Sequence, residues 1–262
     1  MKENAIELKE KGFTMFPSFF DEAFMAEVSS SVDRSYQLCR SIQIRNGISE
    51  VTDGTVHHLL LDKDEPAYLE ILHRVCQSDI YSFIKEFFNG NFILNTYGGV
   101  INLPSKPSYV ANIHKDIRFF SEDFPFMINL LIMLDDFTLE NGATYFLSGS
   151  HKKKDKPSDE EFYSKADRAV GKRGNIILFN SNLWHAAGLN KTNISRRAIT
   201  INLSKPFFKQ QMDYSRSIGY EKVEVMSNEL KQILGYYSRT PTNLDEWYQK
   251  PENRFYRPGQ DQ

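Results

Sequence analysis

The chain has 262 residues, and its 32 lysines and arginines nearly balance 34 aspartates and glutamates, for a formal net charge of −2. This balance argues against a protein that charge alone holds on nucleic acid, and 40% hydrophobic with 25% charged residues argues against a disordered chain. Two cysteines, Cys39 and Cys76, are too few for a disulfide framework and are typical of a reducing compartment.

The amino-terminal residues MKENAIELKEKG have no apolar core, so they do not resemble a secretory signal. The most apolar stretch, Phe124–Leu134, is far shorter than the ~20 residues of a membrane span, and Asn129 interrupts it. We therefore expect a soluble, cytoplasmic protein with neither a membrane nor a nucleic acid as its partner. Nothing in the chain specifies its oligomeric state.

The first ninety residues are predicted to be mostly helical. Ser18 and Asp21 form an approximate capping box, which precedes an apolar series at helical spacing: Phe24, Met25, Val28, Val32, Tyr36 and Cys39. A second helix is predicted over Ala67–Phe88 and ends at Asn89-Gly90. Its inward-facing residues are Leu72, Val75, Cys76, Ile80, Phe83, Ile84 and Phe87.

From about Asn91 the pattern changes to short runs bounded by Gly, Pro, Asn or Asp, which predict strands. These runs are Phe92–Tyr97, Tyr109–Phe119, Phe126–Leu134, Ala143–Leu147, Asn175–Phe179 and Arg197–Leu203. Strands that follow one another without helices between them favour an antiparallel sandwich or barrel. We therefore predict one domain over 1–262, with a mostly helical flank at 1–90, a β core at 91–205 and a C-terminal wrap at 206–262.

Two segments outside the strands have a distinct composition. Segment 151–170 is polar, includes HKKKDK and is predicted to be an exposed loop or lid. In the C-terminal wrap, one helix is predicted near Asn228–Leu234, and the aromatic and proline-rich end is predicted to be extended.

The segment ANIHKDIRFF holds a candidate metal-binding pair. His114 and Asp116 are two residues apart in a predicted strand, so both side chains point to the same face. Taken alone, the pair is better explained as a buried histidine bonded to a neighbouring aspartate. A metal site needs a further ligand from elsewhere in the chain.

His185, in NLWHAAGLN, is the candidate for that third ligand because it follows the predicted strand NIILFN. Two histidines and one carboxylate bind Fe(II) on one side and leave the opposite positions open, for a bidentate 2-oxo acid and for O2. Mn, Co, Ni or Zn would also fit the donor set. The other histidines are weaker candidates: His57 and His58 are adjacent, His73 lies on an apolar helix face, and His151 is in the lysine-rich segment.

Arg196, in SRRAITINLS, is a candidate for binding an anion. On strand alternation it shares a small, polar face with Ala198, Thr200 and Asn202, which suits the lining of a cavity. A guanidinium in a cavity needs an anion, and its planar fork suits the distal carboxylate of 2-oxoglutarate. Without the metal triad, a surface arginine paired with an acidic residue is the better interpretation.

Three residues are candidates for contact with a substrate. Asn112 and Arg118 share strand parity with His114 and Asp116, so they are candidates for the substrate cavity, where Arg118 would suit an anionic group. A surface ion pair explains Arg118 equally well. Tyr97, before Gly98-Gly99, is a candidate for the mouth of the cavity or an ordinary strand end. The basic run Lys152–Lys156 suits a phosphate-bearing group but more often indicates a solvated loop.

Taken in order, H-x-D, ENGATYFLSGSHK and WHAAGLNKTNISRRA resemble the phytanoyl-CoA dioxygenase family of Fe(II)/2-oxoglutarate oxygenases over roughly residues 8–205. The matching features are Asn141-Gly142, the run Gly149–Lys152, and an arginine 11 residues after the distal histidine. The resemblance implies a double-stranded β-helix (jelly-roll, cupin-like) core. It also implies that His114, Asp116 and His185 bind iron and that Arg196 binds 2-oxoglutarate.

The resemblance also guides the weaker assignments. Many members carry a tryptophan on the strand before the N-G motif, where this chain has Leu131; Asn129 on the same face is the candidate cosubstrate contact instead, with Thr144 as a weaker one. Because Asp116 is present, hydroxylation is favoured over halogenation. The expected activity is oxidation of a small molecule by O2 with release of succinate and CO2. Alternatives are a non-redox cupin-type metal protein, such as an isomerase, epimerase or sensor, and an interaction module with a disused site.

Overall fold

The structure is a computed structural model that describes residues 1–48, 54–106, 109–121 and 124–260. The α-helices of the described residues are α1 Lys2–Lys11, α2 Glu22–Arg45, α3 Ala67–Cys76, α4 Asp79–Phe88, α5 Asp159–Lys165, α6 Tyr214–Ile218, α7 Asn228–Ile233 and α8 Leu244–Trp247. The strands are β1 Phe13–Phe16, β2 Thr55–His57, β3 Ile93–Asn102, β4 Met127–Met133, β5 Tyr145–Phe146, β6 Asp167–Arg168, β7 Ile176–Asn180, β8 His185–Ala186 and β9 Arg196–Ser204. No helix in these ranges combines the length and the apolar character that crossing a bilayer requires.

The chain divides into two compact units. The first consists of Met1–Leu59 and Tyr97–Ile201, and the second of Leu60–Thr96 and Asn202–Gln262. The single-domain organisation stays a prediction. Every residue of the candidate metal site belongs to the first unit.

An antiparallel sheet forms the main layer of the first unit. Its six strands lie in the order β1-β7-β4-β9-β3-β2. β7 pairs with β1 through Phe13↔Phe179 and with β4 through Asn129↔Phe179, so β7 lies between them. A smaller sheet has the order β6-β5-β8, and its strands are two residues long. The predicted antiparallel β core with flanking helices is confirmed at this level.

The core of the first unit lies between these two sheets. One buried cluster combines residues of the large sheet, such as Leu131, Ile177 and Ala198, with Phe146 of the small sheet. Phe146 stacks on Phe13 with ring centroids 5.0 Å apart. Since strand residues alternate between faces, one face of the large sheet fills this core.

Helix α2 begins where the sequence predicts, because the Asp21 side chain accepts a hydrogen bond from the Phe24 amide. Its apolar stripe is buried as far as Val32, whereas Tyr36 and Cys39 are half-buried. Ser18 takes no part in the cap: its backbone has a positive φ of 51°, and its amide donates to Asn175. The capping box therefore reduces to Asp21 alone.

In the second unit, the single helix predicted over Ala67–Phe88 is wrong, since α3 ends at Cys76 and α4 starts at Asp79. Ser78 is extended (φ −109°, ψ 166°), and its hydroxyl donates to the Val75 carbonyl, which breaks the helical ladder. Most of the predicted inward series is buried, but Cys76 and Phe87 are only half-buried, and Phe88 is buried in place of Phe87. The predicted stop is confirmed, with Asn89 left-handed.

Two other predictions need correction. Tyr109–Phe119 is not a strand: it opens with a 3-10 turn at Tyr109–Ala111 and then makes an isolated bridge at His114. Segment 151–170 is not only a loop, because Ser158 caps helix α5 and β6 follows it. The helix near Asn228–Leu234 is confirmed as α7, whereas the extended C-terminal end contains the short helix α8 and a 3-10 turn at Pro251–Asn253.

Candidate metal centre and anion site

The structure brings His114, Asp116 and His185 together as the sequence predicts. One ligand atom from each lies within 4.8 Å of the others. The His114 Nε2 atom is 3.6 Å from Asp116 Oδ1, and the His185 Nε2 atom is 3.8 Å from Asp116 Oδ2. Both imidazoles thus direct the same nitrogen towards one carboxylate, which is the arrangement that a shared cation requires.

Backbone hydrogen bonds hold this cluster in place. The amides and carbonyls of His114 and His185 bond each other reciprocally at 3.0 Å, and the Asp116 amide donates to the Ser181 carbonyl at 3.1 Å. Although the segment is not a continuous strand, burial alternates along it: Ile113, Lys115 and Ile117 are buried, and the ligand residues between them are more accessible. His114 and Asp116 therefore lie on the same side of the segment, as predicted, even though the predicted strand does not form.

The hydrogen bonds of the two imidazoles indicate which nitrogen carries the proton. His114 Nδ1 lies 2.7 Å from the Asn112 carbonyl oxygen, and His185 Nδ1 lies 2.9 Å from the Leu183 carbonyl oxygen. A carbonyl only accepts, so each Nδ1 is assigned as the donor and each Nε2 keeps its lone pair. This is the tautomer that a histidine needs to bind a metal through Nε2.

His185 is fixed more tightly than His114. Its imidazole packs edge-on against Phe179, with ring centroids 4.9 Å apart, and burial lowers its pKa to about 4. The proximity of His114 lowers this pKa further, while Asp116 opposes the shift. His185 is therefore neutral at pH 7 and ready to act as a ligand.

Asn129, the expected cosubstrate contact, also contacts a candidate metal ligand. It lies on β4, it is buried, and its Nδ2 donates to Asp116 Oδ2, so it orients the ligand carboxylate. Its Oδ1 has no hydrogen-bond partner in the described part of the chain. A contact of Asn129 with 2-oxoglutarate stays a prediction.

Arg196, at the start of β9, is 2% exposed. Its guanidinium lies over the Phe137 ring at 3.9 Å, and Nε has no hydrogen-bond partner among the described residues. Burial lowers its pKa to about 9, with Asp135 opposing the shift. Burying a guanidinium without an ion pair is costly, so a bound anion would stabilise Arg196.

The weaker candidates occupy varied places. Thr144 is buried immediately before β5, whose Phe146 pairs with His185. Asn112 is exposed and contributes its carbonyl to His114, and Arg118 is exposed two residues beyond Asp116. Tyr97 is fully buried on β3, which does not suit the mouth of a cavity. The substrate roles of these residues stay predictions.

The glycine-containing motifs prove to be architectural. Gly142 has φ +77°, and a Cβ there would lie 2.2 Å from the Gly188 carbonyl oxygen, so the turn packs directly on the segment after His185. Asn141 closes the same turn by accepting from the Thr138 amide. The buried His151 places its Nε2 3.2 Å from the Lys9 carbonyl oxygen. Each of these residues contacts a neighbouring segment, and none belongs to the His-Asp-His cluster.

Sequence reasoning missed Lys115 and Trp184, which flank the ligand residues and face away from them. The Lys115 ammonium lies 5.0 Å from the Trp184 ring centroid. The signal was available, since the alternation that directs His114 and Asp116 to one face directs Lys115 to the other.

Comparison with known proteins gives matches over most of the chain. The profile of the phytanoyl-CoA dioxygenase (PhyH) family matches residues 8–198. An uncharacterized protein of Mycobacterium tuberculosis is 32% identical over 260 residues, covering 95% of this chain and 92% of its own length. A dioxygenase of Talaromyces verruculosus, cdmA, is 26% identical and covers 90% of this chain and 83% of its own length.

Solved structures share the fold at lower identity. EctD from S. alaskensis, crystallised with 2-oxoglutarate and 5-hydroxyectoine, aligns with a TM-score of 0.64 at 14% identity, over 78% of this chain and 76% of its own. SnoN, a non-heme alpha ketoglutarate dependent epimerase from nogalamycin biosynthesis, aligns with a TM-score of 0.56 at 16% identity, over 78% and 80%.

Proposed function

The chain belongs to the phytanoyl-CoA dioxygenase family, and on that premise we propose that it is an Fe(II)- and 2-oxoglutarate-dependent oxygenase that hydroxylates a C–H bond of a small molecule. The observation that carries the proposal is the presence, in one unit, of a His-Asp-His donor set and a buried arginine whose Nε has no hydrogen-bond partner among the described residues. We also interpret the two antiparallel sheets of the first unit as a double-stranded β-helix, with the smaller sheet reduced to short strands.

The donor set fits Fe(II). His114, Asp116 and His185 offer two imidazole nitrogens and one carboxylate. Such a mixed nitrogen and oxygen set is typical of Fe(II) sites, whereas structural zinc sites are rich in thiolates. Both histidines are in the tautomer that leaves Nε2 free, and Asn129 orients the carboxylate. These three residues would hold the metal, which when bound supplies the activation of O2 that the protein's own side chains lack.

Arg196 fits the cosubstrate. A dicarboxylate such as 2-oxoglutarate would pair its distal carboxylate with the guanidinium and remove the cost of burying that charge. The Phe137 ring limits where the guanidinium can move, so the anion site is preorganised. Asn112 and Arg118 lie on the accessible side of the ligand segment and are our candidates for the substrate, with Arg118 suited to an anionic group.

An anaerobic titration tests the proposal directly. Adding 2-oxoglutarate to the Fe(II)-loaded protein should produce a visible metal-to-ligand charge-transfer band, and exposure to O2 should then give slow formation of succinate. His114→Ala should lose both signals because it removes a ligand. If the protein binds Fe(II) but shows no band at saturating 2-oxoglutarate, the non-redox metal protein becomes the better assignment.

Epimerisation is the second candidate, because one protein of similar fold is an alpha ketoglutarate dependent epimerase. The two outcomes differ in the product. Hydroxylation incorporates an oxygen atom from ¹⁸O2 into the product, whereas epimerisation inverts a stereocentre without doing so. Once a substrate is known, mass spectrometry of the product distinguishes them.

A further inference from the structure

We propose that Lys115 and Trp184 are positioning residues for the metal centre. Residues 150–155, which we call the brace, bind both of them. The inference rests on the proposed function, since it takes His114, Asp116 and His185 to be metal ligands. Lys115 lies between two of them in sequence and Trp184 immediately precedes the third, so fixing these two residues fixes the backbone of all three.

Lys115 is anchored on the side of its segment opposite to the ligands. It is 9% exposed, and its ammonium donates to the Lys153 carbonyl at 2.7 Å. The same ammonium lies 5.0 Å from the centroid of the Trp184 ring and 5.4 Å from that of Phe120. It forms no ion pair within the described residues, and burial lowers its pKa while nearby Asp155 opposes the shift.

Trp184 is held by the same brace. Its amide donates to Ser150 Oγ at 3.0 Å, and its indole Nε1 donates to the Asp155 carbonyl at 3.1 Å. Its own carbonyl accepts from the Leu147 amide at 3.0 Å. The residue before His185 therefore has little rotational freedom, which explains how a two-residue strand keeps an imidazole in one direction.

The brace, together with Gly149 that precedes it, is hydrogen-bonded to the amino-terminal helix α1. The Gly149 amide donates to the Lys11 carbonyl at 2.8 Å, and His151 Nε2 lies 3.2 Å from the Lys9 carbonyl oxygen. The Lys153 amide donates to the Ser150 carbonyl, which closes the 3-10 turn. Lys115 and Trp184 are thus connected, through the brace, to helix α1, which does not belong to the site.

The energetics of Lys115 separate positioning from simple stabilisation. A buried ammonium that has a neutral carbonyl and two rings as its partners contributes little to folding, and replacing a buried charge with an apolar side chain of similar size is often neutral or stabilising. Groups that orient metal ligands, in contrast, typically change metal affinity by about 10–100-fold when they are removed. If Lys115 only stabilises the fold, its substitution should lower stability and leave metal affinity unchanged. If Lys115 positions the ligands, its substitution should lower metal affinity and leave stability unchanged.

The experiment measures Co(II) affinity by the visible d–d spectrum, together with the melting temperature of the metal-free protein. Lys115→Met should weaken Co(II) binding by about tenfold or more and alter the d–d band, without lowering the melting temperature. Trp184→Phe, which replaces the indole by a smaller phenyl ring and loses its N–H, should act in the same direction. Because both substitutions remove a contact with the same brace, the double variant should lose less Co(II) affinity than the product of the two single losses.

Lys154→Met is the matched control, because Lys154 is exposed on the same brace and should leave Co(II) affinity unchanged. Unchanged affinity in both Lys115→Met and Trp184→Phe would overturn the brace and leave the proposed function intact, provided that Asp116→Ala abolishes binding. A fall in affinity that merely follows a fall in melting temperature would also overturn it. Wild-type protein that binds no Co(II) would overturn both proposals.

Discussion

Arg196→Met is the substitution that most directly tests how the anion site works. Truncating one partner of a buried charge pair typically costs about 2–5 kcal/mol, and a loss of about 3 kcal/mol corresponds to a roughly 100-fold weaker affinity. In the absence of 2-oxoglutarate the same substitution should not lower stability, because burial makes the Arg196 charge unfavourable and its Nε has no hydrogen-bond partner among the described residues to lose. Binding should therefore collapse while folding does not.

The sign of the pKa shift supports this expectation. Burial lowers the Arg196 pKa from 12.5 to about 9, so the folded state binds this proton less tightly than the unfolded state does. Below pH 9 the guanidinium is charged in both states, and the charge opposes folding until an anion neutralises it. The stability cost of Arg196 is thus present at pH 7 and falls as the pH rises above about 9.

Thermal unfolding with a redox-inert metal measures both parts of the prediction. At a 2-oxoglutarate concentration of about 100 times its Kd, the ligand stabilises the wild type by about 2.7 kcal/mol, which corresponds to a rise in Tm of roughly 5–10 °C. With a 100-fold larger Kd, the same concentration gives the variant only about 0.4 kcal/mol, or a rise of roughly 1 °C.

Arg197→Met is the matched control, because Arg197 is the next residue on β9 and faces the other way. Its guanidinium binds Asp33 through two hydrogen bonds of 2.7 and 2.8 Å. This variant should lose about 1 kcal/mol of stability or less and keep the full 2-oxoglutarate shift. If Arg196→Met keeps that shift, or if both variants lose it equally, Arg196 does not bind the cosubstrate.

Two further substitutions test the support around the site. Asn129→Leu removes the donor that orients Asp116, so Co(II) affinity should fall by about 10–100-fold. The Kd for 2-oxoglutarate at saturating metal should change less. Equal losses of the two affinities would argue for a direct cosubstrate contact instead. Gly142→Ala places a Cβ 2.2 Å from the Gly188 carbonyl oxygen at a positive φ, so chemical denaturation should show a loss of about 2 kcal/mol or more, and an unchanged midpoint would contradict the architectural role of this turn.

Short-range signals in the sequence predicted several elements correctly. The Asp21 cap, the left-handed stop at Asn89, helix α7 and most of the long strands are local features, because each depends on a few neighbouring residues and a repeating pattern. The helix predicted over Ala67–Phe88 failed for the same reason. Its apolar pattern continues across Gln77 and Ser78, whereas the extended backbone of Ser78 interrupts the helix there.

The metal ligands were predictable because their chemistry constrains them. Two positions of H-x-D must share a face, and burial alternates along residues 112–118 even where the ladder of a regular strand is missing. The hydrogen bond from Asn129 to Asp116 was not predicted, since a sequence does not tell which polar group a buried amide will meet. The same limit hid the contact between Lys115 and Trp184.

By itself the sequence determined the types of group available for chemistry: two imidazoles, a carboxylate and a guanidinium. Only the tertiary structure decided how these groups meet, because residues 114 and 185 are joined by backbone bonds between segments that are distant in the chain. It also decided that the Arg196 guanidinium is buried over the Phe137 ring, with no hydrogen-bond partner for Nε among the described residues. Periodicity is a property of neighbouring residues, whereas convergence and charge pairing depend on contacts that no local pattern encodes.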